Sequence, residues 1–317
     1  MLAAGCILGA RPLAAHAHDG APPAPHDIWH AWSREPATLL GLALATWVYA
    51  RGVRALWRRA GQGQGIHSWQ AFAFAGGEAA LFLALISPLD ALGEALFSAH
   101  MVQHLLLMVV AAPLLVLGRP LVPLLWTLPA RWRRAVGRWW HGAVGVRAAW
   151  RAASHPLLVW GLHVGAVWVW HTPGLYQAAL RSEVVHIAEH ACFLATAVLF
   201  WWVLVHARAR GRLGYGAGVL YVFAMAVQSG VLGALITFAP TAWYPIHQPS
   251  VAAWGLTPLE DQQLAGLAMW VPAGLAYTAA ALSLFVAWLG EAERAARRID
   301  ARHLQCGRPV DAAHAGS

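Results

Sequence analysis

Two histidine pairs at helical spacing carry the clearest chemical content of this sequence. His100 and His104 lie four residues apart in one apolar run, and His186 and His190 repeat the spacing in another. Residues four apart share a face of an α-helix, so each pair stacks two imidazoles. Apolar helices gain nothing in packing from four such rings, and ionisable groups within membrane segments are costly. We interpret the pairs as a metal site, with a hydrogen-bonded proton relay as the main alternative without metal.

A fifth histidine, His171, ends the apolar run between the two pairs. If the first paired helix enters the membrane near Phe97, a rise of about 1.5 Å per residue places its histidines roughly 5 and 10 Å below the surface. The second pair lies at a matching depth. His163, earlier in the run of His171, is a weaker candidate. The predicted metal ligands are His100, His104, His171, His186 and His190.

The residue types do not by themselves choose the metal. Imidazole suits copper, zinc, iron and nickel. The three cysteines, Cys6, Cys192 and Cys306, form no C-x-x-C pair, so neither a thiolate site nor a disulfide framework is indicated. Met101 and Met108 offer soft thioether donors for Cu(I), although methionine at helical spacing more often fills gaps in a core.

Acidic residues gather on the same side of the predicted membrane domain. Asp90 and Glu94 precede the first histidine pair, and Glu260 and Asp261 precede the last apolar run. We interpret them as partners of the ligand N–H groups or as a cation entry path. Solvated carboxylates near helix N-termini are the alternative.

Glu78 is different because it lies in the middle of the second apolar run. A carboxyl group at that depth is either protonated or paired inside the bundle, for example with His163 or Gln228.

The elements that must position these residues are membrane helices. The 317-residue chain is 59% hydrophobic and only 11% charged, with a mean hydropathy of +0.51 and 19 tryptophans. Apolar runs of about 20 residues cross a hydrocarbon core of about 30 Å as helices. The sequence thus predicts an all-α, polytopic bundle of seven transmembrane helices, at residues 36–56, 68–87, 97–117, 155–173, 184–206, 216–238 and 264–289.

Arginine placement predicts the orientation of the bundle. All 22 basic residues are arginines, and nineteen of them lie in or beside connections on one side, which we assign to the cytoplasm. The opposite connections carry only Arg181. The N-terminus is therefore predicted outside and the C-terminus inside. The formal charge of +8 is read as a topology signal, and no nucleic-acid partner is expected.

The rest of the chain divides around this membrane domain. Residues 1–17 resemble a signal peptide, and cleavage after Ala15 would expose His16-Ala17-His18, a potential Cu(II)-binding terminus; an ordinary histidine-containing tail is the simpler reading. The remaining segments are an outer segment (18–35), the membrane domain (36–290) with an amphipathic cytoplasmic loop (119–154), and a cytoplasmic tail (291–317).

The string His186-x-x-Glu189-His190 also matches the H-x-x-E-H pattern of inverted zinc proteases. Three fixed residues in five are weak support, and this reading leaves His100 and His104 unexplained. We therefore expect the protein not to be an enzyme.

Several longer motifs resemble the seven-helix CtaG family, whose members are assembly factors for caa3-type cytochrome c oxidase. The matching stretches are residues 87–104, 171–176, 186–190, 200–202, 258–263 and 269–272. The resemblance implies a multi-pass protein of the bacterial inner membrane that helps to mature a haem–copper oxidase, with copper as its metal. It implies oxidase subunits, particularly copper-bearing ones, as partners, together with a soluble copper donor on the outer side.

Carried onto this sequence, the family motifs imply the five histidines named above as ligands. Asp90, Glu94 and Asp261 would be their outer-side partners. Outside the resemblance, a haem-binding membrane redox protein, with one axial histidine from each pair, stays open. A copper or proton transporter is the third alternative. The other residues we assign to a second shell or entry path are Glu189, Met101, His163 and Glu78.

Overall fold

The computed structural model describes residues 23–209 and 213–306, and within them the regular structure is helical. The predicted signal peptide, the His16-Ala17-His18 motif and residues 307–317 lie outside the described residues. We number the helices α1 (Pro36–Ala60), α2 (Ser68–Leu85), α3 (Pro88–Ala95), α4 (Phe97–Leu117), α5 (Leu121–Thr127), α6 (Ala130–Gly142), α7 (Val144–Ala153), α8 (Pro156–Trp170), α9 (Pro173–Arg181), α10 (Glu183–Ala209), α11 (Tyr215–Thr237), α12 (Gln248–Val251) and α13 (Pro258–Cys306).

Each of the seven predicted apolar runs is helical. Among the described residues, five helices are long and apolar enough to cross a membrane, and the number rises to seven if each of two bent helix pairs is one span. The protein is therefore an all-helical, multi-pass membrane protein. The count of seven and the orientation of the termini remain predictions.

Both bends occur where proline follows a helix end. Helix α2 meets α3 at 43° before Pro88, and α7 meets α8 at 54° before Pro156. The ring of a proline disfavours helical backbone at the preceding residue, so the first helix stops there. At the first bend, the Ser87 hydroxyl also caps α3 by accepting a hydrogen bond from Leu89 N at 3.2 Å.

Helices α11 and α13 pack closely through glycines. A Cβ atom on Gly266 would lie 2.6 Å from the carbonyl oxygen of Gly233 and 2.2 Å from the hydroxyl of Thr237. Small residues let membrane helices approach until their backbones touch. Helix α13 packs on its other side against α4, which bears the first histidine pair.

Helix α4 changes its winding directly after that pair. Residues Leu106–Ala111 form a π-helical segment between two α-helical parts. The indole of Trp201 on α10 donates a hydrogen bond to the carbonyl oxygen of Met108 inside this segment, at 2.9 Å. Short π-helical insertions often accompany functional sites because they redirect side chains along one helix.

The predicted amphipathic loop folds as α5, α6 and α7. None of the residues of α6 and α7 is buried, and Trp132 and Trp139 are exposed. The guanidinium of Arg133 lies 4.0 Å from the ring centroid of Trp126. Exposed tryptophans beside arginines are typical of helices that lie along a membrane surface. The last helix, α13, continues through residues 291–306 of the predicted tail.

Candidate metal centre

Helices α4 and α10 bring the two histidine pairs together. The ring centroids of His100 and His104 are 4.3 Å apart, and those of His186 and His190 are 4.2 Å apart. Between the helices, His100 lies 5.3 Å from His186, and His104 lies 5.3 Å from His190. The four imidazoles thus form one cluster, as the equal depth of the pairs predicted.

Glu189 lies within this cluster. One ligand atom from each of His100, His104, Glu189 and His190 lies within 4.8 Å of the others. The Glu189 carboxylate oxygens are 3.7 Å from His100 Nε2 and 3.9 Å from His104 Nε2. These separations are too long for hydrogen bonds. Two ligands on one tetrahedral ion, with bonds of about 2.0–2.1 Å, are roughly 3.4 Å apart, so small shifts would allow shared coordination.

The donor atoms of this group are buried and have no hydrogen-bond partner among the described residues. This holds for both Glu189 oxygens and for Nε2 of His100, His104 and His190. Burying such an atom unsatisfied costs about 1–3 kcal/mol, more if it is charged. Several such atoms converging on one point fit a cation, because a cation satisfies them together.

His171 lies beside this group. Its Nδ1 donates a hydrogen bond to the carbonyl oxygen of Val167 at 2.6 Å, and its Nε2 lies 3.3 Å from the Met101 sulfur. The ring centroid is 5.9 Å from that of His104. Of the five predicted ligands, His171 and His186 therefore lie at the periphery of the four-donor group.

Asp261 holds the N-terminus of the helix that carries the first pair. Its carboxylate accepts hydrogen bonds from Phe97 N at 2.7 Å, from Ser98 N at 3.1 Å and from the Ser98 hydroxyl at 2.5 Å. Helix N-termini leave free N–H groups and favour negative charge. Asp261, which is 1% exposed, thus fixes α4 to α13 rather than contacting an imidazole.

Replacing Asp261 with alanine is expected to weaken metal binding about 10–100-fold, because residues that orient ligands contribute to affinity on this scale. The measurement is a Co(II) titration of the purified protein. Asp261→Asn keeps one acceptor oxygen and should lose less affinity. Equal affinities for wild type and Asp261→Ala would contradict a positioning role.

Asp90 also helps to position α4, through a hydrogen bond with Gln103. Gln103, which is fully buried, donates from its amide nitrogen to Asp90 Oδ1 at 2.7 Å and to the carbonyl oxygen of Ala84 at 2.8 Å. These bonds set the rotation of α4 against α2 and α3. Glu94, one turn beyond Asp90, has an exposed side chain.

An aromatic cover closes the cluster at the start of α4. The Tyr176 hydroxyl lies 2.8 Å from His247 Nε2, and the Tyr244 hydroxyl donates to the carbonyl oxygen of His171 at 2.8 Å. Burial lowers the pKa of His247 to about 4 and raises the pKa of Tyr176, so at neutral pH the phenol donates to a neutral imidazole. The Tyr176 ring lies 5.1 Å from that of His100.

Comparison with known proteins identifies the family of this chain. The family model described as cytochrome c oxidase caa3 assembly factor matches residues 47–291, which include every residue of the cluster. The chain belongs to this assembly-factor family. The family is not one of enzymes, which argues against the metalloprotease reading of the H-x-x-E-H string.

Relatives of this chain occur in mycobacteria. It is 28% identical over 262 residues to uncharacterized proteins of Mycobacterium bovis and Mycobacterium tuberculosis, covering 80% of this chain and 39% of theirs. A Mycobacterium leprae protein is 26% identical over 220 residues, covering 67% of this chain and 32% of its own length. The chain thus spans about two fifths or less of these relatives. No solved structure matches it significantly.

Two further predicted residues lie away from the cluster. His163 is hydrogen-bonded through Nδ1 to the Thr196 hydroxyl at 3.0 Å and packs against Phe200. Glu78 accepts a hydrogen bond from the Thr46 hydroxyl at 3.3 Å, which connects α2 to α1. Its partner is thus neither of the two residues considered from the sequence.

The sequence did not indicate the part of the site that the loop between α11 and α13 supplies. His247 lies in a short 3₁₀ helix, Pro245–His247, where no periodicity indicates which side chains turn inward. The sequence predicts that Glu189 lies beside the metal ligands or on the entry path and is not itself a ligand. Its spacing of three from His186 places it on the histidine face, but only the packing of α4 against α10 shows its distance to His100 and His104.

Proposed function

We propose that this protein helps to assemble a haem–copper cytochrome c oxidase by holding copper at its buried cluster and passing it to the oxidase. The observation that carries the proposal is the convergence of three imidazoles and one carboxylate from His100, His104, Glu189 and His190. Family membership supplies the assembly role. Imidazole nitrogen suits copper, and a site without a thiolate cage releases its cargo more readily.

The charge of the site favours Cu(I). One monovalent ion and one ionised carboxylate, with three neutral imidazoles, give a net charge of zero. A divalent ion at the same place would leave a net positive charge. Uncompensated charge is costly in a buried environment, and both Glu189 and His100 are fully buried.

The exchange route follows α10. His186 and His190 are partly buried, whereas His100, His104 and Glu189 are at most 1% exposed. The His186 ring stacks against His100 and lies at a tilt beside His190, with their centroids 4.2 Å apart. We propose that His186 takes up the ion first and releases it last, so that copper moves between the cluster and a partner bound beside α10.

In the membrane, we propose seven spans with the N-terminus outside and the C-terminus in the cytoplasm of a bacterium. Each bent helix pair then contributes one span, which is formed by α2 in the first pair and by α8 in the second. The arginine-rich segments face the cytoplasm by the positive-inside rule. The cluster, near the starts of α4 and α10, consequently lies on the outer side, where a soluble donor and the copper-bearing oxidase subunits would meet it.

The alternatives fit the cluster less well. A haem between the two pairs would need a wide slot for the porphyrin plane, yet His100, His104 and Glu189 are at most 1% exposed and the adjacent cavity has a volume of only about 20 Å³. A transporter would need polar groups along the rest of the path. His163 and Glu78 are separately hydrogen-bonded to Thr196 and Thr46.

The test measures the copper content of the purified protein and the oxidase activity of a strain that lacks it. The purified protein, loaded with Cu(I) under anaerobic conditions, is expected to hold at least about one copper per chain. A strain lacking the gene should lose oxidase activity, and added copper should restore part of it. Normal oxidase copper content in that strain would overturn the proposal. A Soret band in the purified protein, or metal uptake into sealed vesicles, would favour the haem or transporter alternative.

A further inference from the structure

Methionines of this protein converge on one cavity next to the histidine cluster. The sequence contains five methionines, and apart from Met1 all of them line this cavity. They come from different helices, since Met101 and Met108 lie on α4, Met225 on α11 and Met269 on α13. Each is at most 8% exposed. Residues more than 160 positions apart in the chain thus line one cavity.

The cavity is continuous with the metal centre. His104 and His171 also line it. Counted from Phe97 at about 1.5 Å per residue, His104 lies roughly 10 Å along α4 and Met108 roughly 16 Å. The thioethers therefore extend from the level of the cluster toward the middle of the bundle. The cavity volume of about 20 Å³ is enough for one water-sized sphere.

The Met101 and His171 pair presents two donors to a shared point. Because a carbonyl oxygen only accepts, the hydrogen bond to Val167 O requires the proton on His171 Nδ1. In the neutral ring, Nε2 then carries a lone pair, and it lies 3.3 Å from the Met101 sulfur, which has no proton to donate. An imidazole nitrogen and a sulfur on one tetrahedral ion, with bonds of about 2.0 and 2.3 Å, are roughly 3.5 Å apart.

Core filling alone explains this arrangement poorly. Methionine does fill irregular gaps, and each of these residues taken singly would be read that way. Three other buried clusters, among α1, α2 and α5, between α2 and α4, and around Leu96, are built from leucine, isoleucine, valine, alanine and aromatic residues, with no methionine among their described members. The chain thus places methionine where a histidine with a free lone pair also points.

We propose that this cavity is a second copper site, which holds Cu(I) through His171 Nε2 and the thioethers of Met101, Met225 and Met269, with Met108 beside them in the lining. Thioether sulfur is a soft ligand that selects Cu(I) over Zn(II) and other divalent ions. The inference rests on the proposed function only for copper as the cargo. Copper enters and leaves this site as Cu(I), with no change in oxidation state.

The experiment uses the full-length protein in detergent with selenomethionine in place of methionine. After anaerobic loading with Cu(I), X-ray absorption at the selenium edge should record copper next to selenium. Because every internal methionine lines the cavity, such a signal reports on this site. Cu(I) equivalents are then measured for wild type and for Met225→Leu/Met269→Leu, a volume-conserving change that a core tolerates well.

The double variant is expected to lose about one of two Cu(I) equivalents and most of the selenium–copper signal, while its binding of Co(II), a probe for the histidine cluster, stays unchanged. Leu105→Ile, which also conserves volume in the cavity lining, is the matched control and should keep both copper equivalents. No selenium–copper signal, or equal Cu(I) equivalents in the double variant, would overturn this site. If the wild-type protein does not bind Co(II), that result would instead count against the histidine cluster.

Discussion

A protein in which both His100 and His104 are replaced by alanine is expected to lose the copper ion of the cluster, and with it the ability to support oxidase assembly. Two of the four converging donors disappear, and the remaining pair, Glu189 and His190, lies on a single helix. Copper per chain in the purified variant should fall by about one equivalent, and oxidase activity should fall to the level of a strain lacking the gene.

The matched control for this variant is His163→Asn. His163 is also a buried histidine in the bundle, but its Nδ1 bonds to Thr196 and it lies outside the four-donor group. Asparagine can keep a hydrogen bond to Thr196, so copper binding should persist. If the double alanine variant is present in the membrane at wild-type levels and the oxidase still acquires its copper, the cluster is not the delivery site.

Glu189→Gln is expected to have the second largest effect, because it removes the one carboxylate of the group and changes its size little. A cation held by three neutral imidazoles alone would be an uncompensated buried charge. Removing one partner of a buried charge pair costs about 3–5 kcal/mol, which corresponds to roughly 10²–10⁴-fold in Kd. A Cu(I) competition titration measures this change.

The same variant should not destabilise the metal-free protein. In the part of the chain that the structure describes, both carboxylate oxygens of Glu189 are buried without hydrogen-bond partners, and its ion-pair contacts are imidazoles 3.7 and 3.9 Å away. A neutral amide at this position relieves the cost of a buried charge. The thermal unfolding temperature of the apoprotein should therefore stay equal or rise. A lowered unfolding temperature with unchanged copper affinity would assign Glu189 a structural role instead.

The residues changed in both variants are held in position by contacts outside the cluster. Asp261 ties the start of α4 to α13, and Gln103 ties its rotation to Asp90. The aromatic cover built around Tyr176 and His247 closes the end of the site. The donors therefore need little movement to reach a common ion, which reduces the cost of ordering them on binding.

The sequence alone determined the helices and the histidine faces. Long apolar runs in a chain with few charges can satisfy their backbone groups in lipid only as helices, so the positions of the seven runs were predictable. A spacing of four puts His100 above His104, and His186 above His190, in any α-helix. These are local properties, since they depend on neighbours within one or two turns.

Tertiary structure decided which of these faces meet and what joins them. Glu189 belongs to the four-residue group because the rotation of α10 against α4 brings its carboxylate close to both His100 and His104. Met225 and Met269 reached the cavity because the glycine contact between α11 and α13 lets those helices pack closely. His247 came from a loop without periodicity. Helix rotation and loop path depend on contacts between residues far apart in the chain, and no local pattern encodes them.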